Sequence, residues 1–228
     1  NEVTKLGADG NPVWGGYFDA NSAFLKNTYA TYTAVGQPIG MFYGYKIDRT
    51  QYENGLWRQE DVDAKFAGKA IPPVNPEDID AGDVIFMDLN KDNRIDEKDK
   101  TFIGNPHPDF TYGINLKFTY ANFDLIFFFQ GVSGNDILNL QRYYMYGYYS
   151  QDNNVISGLL EQTYTPGNVD APYPSVDKTR GANDNYRISD FYIEDGSYFR
   201  LKNLQLGYNV PEKISKIFKM ESLRIYFS

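Results

Sequence analysis

Hydrophobic and polar residues alternate without a break from Phe110 to Tyr120. This period of two is typical of a β-strand whose two faces meet different surroundings. Ala121 and Asn122 then predict a tight turn, and residues 123–130 return with apolar side chains on one parity, so an antiparallel hairpin is predicted. The apolar positions are Phe110, Tyr112, Ile114, Leu116, Phe118, Tyr120, Phe123, Leu125, Phe127 and Phe129.

Other strands are indicated less clearly. Residues 36–52 predict one strand after a Gly-Pro turn, and residues 197–210 and 222–228 predict a second hairpin joined by a short polar connection. Residues 81–88 also have the composition of a strand, whereas residues 1–35 predict only loop and irregular strand.

Two long segments interrupt the strands. Adjacent prolines at 72 and 73 exclude residues 53–82 from a sheet, and residues 131–196 form a connection far longer than compact sandwiches use. Very short connections thus alternate with very long ones, as in outer-membrane barrels. The fold class predicted is all-β, with antiparallel strands and the connection lengths of a transmembrane β-barrel wall that carries long extracellular loops.

The composition excludes several classes of function. The formal net charge of −8 argues against nucleic acid as a partner, and the absence of Cys excludes a thiolate metal site or a Cys nucleophile. The aromatic content of 17% suits strands and the aromatic girdles of membrane barrels. The single His, His107, lies between two prolines without a second catalytic signature, so the protein is not expected to be an enzyme.

Residues 88–99 fit the spacing of a twelve-residue calcium loop, in which oxygen ligands recur at alternate positions. Ile95 in the eighth position can pack beneath the ion. The sixth position is Asn93 where Gly is usual, although Asn is the best substitute in the left-handed conformation required there. The alternative is an Asx-rich turn that needs no metal. The predicted Ca²⁺ ligands are Asp88, Asn90, Asp92, the Arg94 carbonyl, Asp96 and Asp99.

A cluster of tyrosines in the long second connection is a candidate contact for substrate or partner. Its rings either stack on a sugar or a peptide, or pack under a neighbouring loop, as barrel aromatics often do. The residues are Tyr143, Tyr144, Tyr146, Tyr148 and Tyr149.

Seven sequence blocks occur in the order found in one family. They are GQPIGMFYGY at 36–45, GDVIFMDLNKD at 82–92, ID at 95–96, IGNP at 103–106, PDFTYG at 108–113, FQGVSGND at 129–136 and EDGSYFRLKNLQLGY at 194–208. Together they resemble the C-terminal part of the SusC/RagA-type TonB-dependent outer-membrane transporters of Bacteroidetes. The Asn93 position departs from the Gly usual in this family's acidic loop.

The resemblance implies a barrel in the cell outer membrane, embedded in lipid and plugged by a separate N-terminal domain. It also implies an importer of oligosaccharides or peptides that is energised through TonB and capped by a SusD-like lipoprotein. Residues 1–228 would be a C-terminal part of this barrel, without the plug domain, the TonB-contacting region and the last strands. Connections 121–122 and 211–221 would be periplasmic, and loops 83–104 and 131–196 extracellular.

A secreted all-β binding module with a calcium-stiffened loop is the alternative. The two hypotheses differ in what they require of one face of the predicted hairpin. A soluble module must bury that face in its own core, whereas a barrel exposes it to lipid. The deciding residues are Phe110, Ile114, Leu116 and Phe118.

Overall fold

The computed structural model describes residues 2–17, 28–73, 76–142, 156–176, 185 and 187–228. The chain divides into two compact units. Unit 1 comprises Asn1–Pro106 and Ile137–Glu194, and unit 2 comprises His107–Asp136 and Asp195–Ser228. Strands in the described ranges pair mainly antiparallel, with few helical residues, which confirms the all-β fold class.

Unit 1 contains a four-stranded antiparallel sheet in the order β1-β2-β3-β4. Its strands are β1 Val13–Tyr17, β2 Tyr29–Thr33, β3 Met41–Gly44 and β4 Thr101–Gly104. Strands β7 Asp136–Leu138 and β8 Ile193–Asp195 form a separate two-stranded sheet.

The helical segments of unit 1 are short. They are the α-helices α1 Gln59–Asp63 and α2 Leu159–Gln162, and the 3₁₀ turns Lys65–Gly68, Pro76–Asp78, Glu97–Asp99 and Asp190–Tyr192. No helix in the described ranges combines the length and apolar character that crossing a bilayer would require.

Much of the core of unit 1 comes from the segment between β3 and β4, where the sequence predicted more strand than the structure contains. Pairing beyond Gly44 consists of isolated bridges, including those from Ile47 to Phe86 and from Leu56 to Val84. The predicted strands over 36–52 and 81–88 are therefore wrong as continuous elements. Large side chains from this segment fill the interior instead: Tyr45, Ile47, Leu56, Trp57, Phe66, Ile79, Ile85, Phe86 and Ile95.

Unit 2 is a four-stranded antiparallel sheet in the order β10-β9-β6-β5. Its strands are β5 Phe110–Tyr120, β6 Phe123–Ser133, β9 Tyr198–Val210 and β10 Leu223–Phe227. Both predicted hairpins are confirmed, and in the first of them Tyr120 pairs with Phe123 across the predicted two-residue turn. It is Ala121, and not Asn122, that adopts a positive φ of 50° there.

The connection between β9 and β10 forms helix α3 Glu212–Ser215 and a 3₁₀ turn over Lys216–Phe218. It lies at the same end of the sheet as the β5–β6 turn, because the Asn209 N–H donates to the Asn122 carbonyl at 2.7 Å. This connection was predicted to be polar, but it exposes several large apolar side chains.

A β-bulge interrupts β9 opposite the middle of β6. Phe128 pairs with Asn203 whereas Phe129 pairs with Leu201, so Lys202 is an extra residue in β9. The bulge restores the parity of the apolar face, because Leu201 and Leu204 are three positions apart in sequence yet both lie on the side of Phe127 and Phe129.

Candidate functional site

One face of the unit 2 sheet is apolar and exposed. Phe110, Ile114, Leu116 and Phe118 retain 57%, 44%, 42% and 57% of their accessible surface. The face continues across β6, β9 and β10 through Phe123, Phe199, Leu201, Leu204, Leu206, Ile225 and Phe227. A soluble module would bury such a face, so its exposure favours contact with lipid.

Aromatic rings with a hydroxyl group lie near the two ends of this face. Tyr112 is near one end, and Tyr120 lies at the other beside the strand pair formed by Phe123 and Tyr208. Positions 112 and 120 differ by eight residues, or about 27 Å along a strand. A tilt of about 40° reduces that span to about 20 Å along a membrane normal, close to the roughly 25 Å apolar band of outer-membrane barrels.

The opposite face of the sheet is more polar. Asp124 pairs with Thr119 on one side and Gly207 on the other, and its carboxylate accepts from Arg224 Nε at 3.2 Å. A Cβ on Gly207 would lie 2.6 Å from that carboxylate, so Gly at this position leaves room for the ion pair. A buried charge with its partner is compatible with a barrel interior and not with lipid contact.

The acidic loop of unit 1 folds on its own side chains. The Asp88 carboxylate accepts from the Lys91 N–H at 2.7 Å and from the Asn93 N–H at 2.8 Å. Asn90 Oδ1 accepts from the Asp92 N–H at 2.9 Å, and Asp92 Oδ1 accepts from the Arg94 N–H at 3.0 Å. Successive carboxylate and amide oxygens therefore hold the first half of the loop in tight turns.

Asp99 closes the loop. Its side chain is fully buried, with one oxygen accepting from the Leu89 N–H at 2.9 Å and the other from the Asp96 N–H at 2.8 Å. Asp96 in turn caps the Glu97–Asp99 turn by accepting from the Lys98 N–H at 2.8 Å. Asp99 thus joins the beginning of the loop to its end.

Asn93 adopts the left-handed conformation expected of the sixth position, with φ of 65°. Ile95 is completely buried beneath the loop, and its N–H donates to the Ile71 carbonyl at 3.2 Å. Both features were predicted from the sequence. Lys91, with φ of 61°, adopts a second left-handed conformation that the sequence did not predict.

Calcium suits the chemistry of this loop, since the candidate ligands are all oxygens. Among the described residues, however, no three Asp, Glu, His or Cys side chains converge as a metal cage. The carboxylates of Asp88, Asp92 and Asp96 accept from backbone N–H groups instead. An Asx-rich turn without metal has the same hydrogen bonds, so calcium binding stays a prediction.

We expect calorimetric titration of the full-length protein to show uptake of one calcium ion that Asp88→Asn abolishes. The ion would offset repulsion between the carboxylates, and saturation at 100 times Kd would stabilise the protein by about 2.7 kcal/mol. Glu53→Gln, at an exposed acid outside the loop, is the matched control. The prediction would be contradicted if the titration released no binding heat and if neither calcium nor a chelator changed the melting temperature.

A cleft of about 870 Å³ lies within unit 1. Its volume is within the range of small-molecule sites. Two segments far apart in sequence form it, so no local pattern could have indicated it. The lining residues are Tyr52, Arg58, Gln59, Glu60, Asp63, Asp80, Ala81, Tyr164, Thr165, Pro166, Val169, Ser175 and Val176.

Arg58 joins the two walls of the cleft. Its guanidinium lies 4.7 Å from the centre of the Tyr52 ring on one side and 2.7 Å from the Asp170 carboxylate on the other. Burial and hydrogen bonds to Asp61 and Glu60 raise the pKa of Tyr52 to about 12, so this phenol stays neutral at physiological pH. Aromatic rings beside carboxylates and amides could contact either sugar hydroxyls or peptide groups.

The tyrosine cluster over 143–149 lies outside the described residues, so its proposed contacts stay a prediction. The flanking residues are described: Arg142 Nη1 donates to the Phe191 carbonyl at 2.8 Å, and its guanidinium lies 5.3 Å from the centre of the Tyr173 ring.

Comparison with known proteins identifies relatives along the whole chain. TonB-dependent receptor P3 of Formosa agariphila is 35% identical over 100% of this chain, which spans 20% of that receptor. TonB-dependent receptor SusC of Bacteroides thetaiotaomicron is 29% identical over 92% of the chain and 17% of that receptor. No protein-family model matches.

Solved structures show the same fold. The RagAB peptide transporter superposes on 99% of this chain with a TM-score of 0.62 and 21% sequence identity, and the chain spans 21% of that transporter chain. The RagAB peptide importer in its closed-closed state gives a TM-score of 0.61. The chain is a segment of a SusC/RagA-type TonB-dependent receptor, and it therefore belongs to a family of outer-membrane proteins.

Proposed function

We propose that the chain forms part of the barrel wall and outer rim of a TonB-dependent active importer. The observation that carries this proposal is the exposed apolar face of unit 2, which lies opposite a face that contains the Asp124–Arg224 ion pair. Such a two-faced sheet suits a wall between lipid and an aqueous interior. The function is transport and binding, without catalysis.

The proposed orientation follows from the lengths of the connections. The β5–β6 turn and the connection over 211–222 share one end of the sheet, while the long connection from 134 to 197 begins at the other end. Outer-membrane barrels have short periplasmic turns and long extracellular loops. The end with Asn122 and Asn209 would therefore be periplasmic, and the long connection extracellular.

The proposed cargo is an oligosaccharide or a peptide, delivered with a SusD-like lipoprotein. SusC is among the relatives, and RagAB is described as a peptide transporter. The cleft beside Tyr52 and the tyrosines over 143–149 are the proposed contacts for substrate or lipoprotein. Energy would come from TonB through the N-terminal region of the full-length protein.

Uptake by cells that carry the full-length gene tests this proposal. Deletion of the gene should abolish growth on one class of oligosaccharide or peptide, and a tagged protein should co-purify with a lipoprotein. Tyr146→Ala with Tyr148→Ala should lower uptake or lipoprotein binding while the barrel still assembles. Tyr17→Ala, at an exposed tyrosine of β1, is the matched control. Normal growth of the deletion strain on every such nutrient would refute the transport function.

A further inference from the structure

The connection between β9 and β10 exposes an unusual number of apolar side chains for a turn. Ile217 and Phe218 retain 76% and 61% of their accessible surface. Ile214 and Met220 are also exposed, at 45% and 46%. Exposed apolar groups in this density indicate a surface that is covered in the working protein.

Lysines accompany these apolar residues at a fixed offset. Lys213, Lys216 and Lys219 recur every third residue, and each precedes one of the apolar residues Ile214, Ile217 and Met220. In α3 and the 3₁₀ turn that follows, this spacing places Lys213 and Lys216 beside Ile214 and Ile217. Lys219 follows as the left-handed C-cap of the turn.

Ser215 fixes how the segment sits on the sheet. It is fully buried, and its hydroxyl lies 3.3 Å from the Val210 carbonyl and 3.4 Å from the Pro211 carbonyl, to which it can donate. The Met220 N–H donates to the Ser215 carbonyl at 3.1 Å, which closes the segment on itself. The segment is thus a defined helical turn held at the end of β9.

The apolar face of unit 2 reaches the same end of the sheet. The rings of Tyr208 and Phe123 are in tilted contact there with centres 4.7 Å apart, and Val210 leads directly into the connection. If the tyrosines mark the edge of the apolar band, residues 211–220 begin where lipid chains give way to headgroups. Lysines beside apolar residues suit that boundary, because the stems pack on acyl chains while the ammonium groups meet phosphates.

We propose that residues 211–220 form an interfacial anchor that binds anionic phospholipid headgroups at this edge of the barrel. Ile214, Ile217, Phe218 and Met220 enter the boundary of the acyl chains, and Lys213 and Lys219 pair with phosphates. Lys216 lies 2.7 Å from the Glu212 carboxylate, and at the membrane it exchanges this exposed ion pair for a phosphate. The proposal rests on the outer-membrane location of the family and not on transport, so it stands or fails independently of uptake.

Labelling at Ile217 tests where the segment lies. A spin label on Ile217→Cys, in the full-length protein without other cysteines and embedded in nanodiscs that contain phosphatidylglycerol, should relax faster with oxygen than with a water-soluble nickel chelate. The matched label on Lys65→Cys, an exposed residue of unit 1, should respond more to the chelate. Ready access of the chelate to position 217, or protection from both reagents by another part of the protein, would overturn the proposal.

Replacing the lysines by glutamine tests whether the segment binds anionic headgroups. Each lysine near an anionic surface contributes a factor of about five to binding, so Lys213→Gln, Lys216→Gln and Lys219→Gln together should lower phosphatidylglycerol retention at least tenfold. The retained lipid can be counted by native mass spectrometry. Lys46→Gln, Lys65→Gln and Lys98→Gln together remove the same charge from exposed sites of unit 1 and should change nothing. Equal retention by both triple variants would overturn the proposal.

Discussion

Replacing Leu116 by Arg is expected to prevent the full-length protein from accumulating as an assembled barrel in the outer membrane. Leu116 lies midway between Tyr112 and Tyr120 on the exposed apolar face. In the proposed barrel wall this is the position farthest from both membrane interfaces. An arginine on the lipid face near the bilayer midplane costs about 2–4 kcal/mol. That cost is a large fraction of the stability of a typical protein.

Asn115→Arg is the matched control, because Asn115 is adjacent in β5 but lies on the opposite face. It should assemble normally. Assembly can be measured from the heat-dependent mobility of outer-membrane fractions on a denaturing gel. If both variants assembled equally well, or only Asn115→Arg failed, the assignment of the two faces would be wrong.

Asp99→Ala is expected to unfold the acidic loop even in the presence of a calcium chelator. The change removes a buried carboxylate that joins the Leu89 and Asp96 N–H groups, and each donor left unsatisfied costs about 1–3 kcal/mol. A total of about 2–6 kcal/mol would lower hydrogen-exchange protection of the loop amides by about 30-fold or more. Exchange of peptides covering residues 86–100 measures this loss.

Asp92→Ala is the control for the loss of a loop carboxylate. Asp92 is exposed, and its Oδ1 accepts from the Arg94 N–H at 3.0 Å, so its removal should cost about 1 kcal/mol or less. Equal loss of protection in the two variants would contradict the role of Asp99 as the group that joins the ends of the loop.

Prediction from sequence worked best in unit 2 because one face meets a uniform environment. When every second side chain must be apolar, the alternation from Phe110 to Tyr120 is recorded directly in the sequence, and so is the short turn that follows. The acidic loop was predictable because the residues that determine its conformation lie close together in the sequence. Its turns are stabilised by local side chains, and Asn93 and Ile95 have the conformation and burial that their positions predicted.

Prediction failed where distant segments pack together. Ile47, Leu56 and Ile85 are buried without belonging to a regular sheet, so their pattern has neither the period of a strand nor that of a helix. The cleft beside Tyr52 requires residues more than a hundred positions later, such as Val169. Its formation depends on tertiary packing that a single sequence does not record.

The extra residue at Lys202 has an evolutionary consequence. A one-residue deletion elsewhere in the paired strands would turn every following side chain to the wrong face, whereas the bulge already absorbs such a shift opposite Phe128 and Phe129. Length changes among related barrels should therefore be tolerated in β9 at Lys202 and Asn203 and selected against along β5. A bulge of this kind lets a strand gain or lose one residue while its apolar side chains stay on the same face of the sheet.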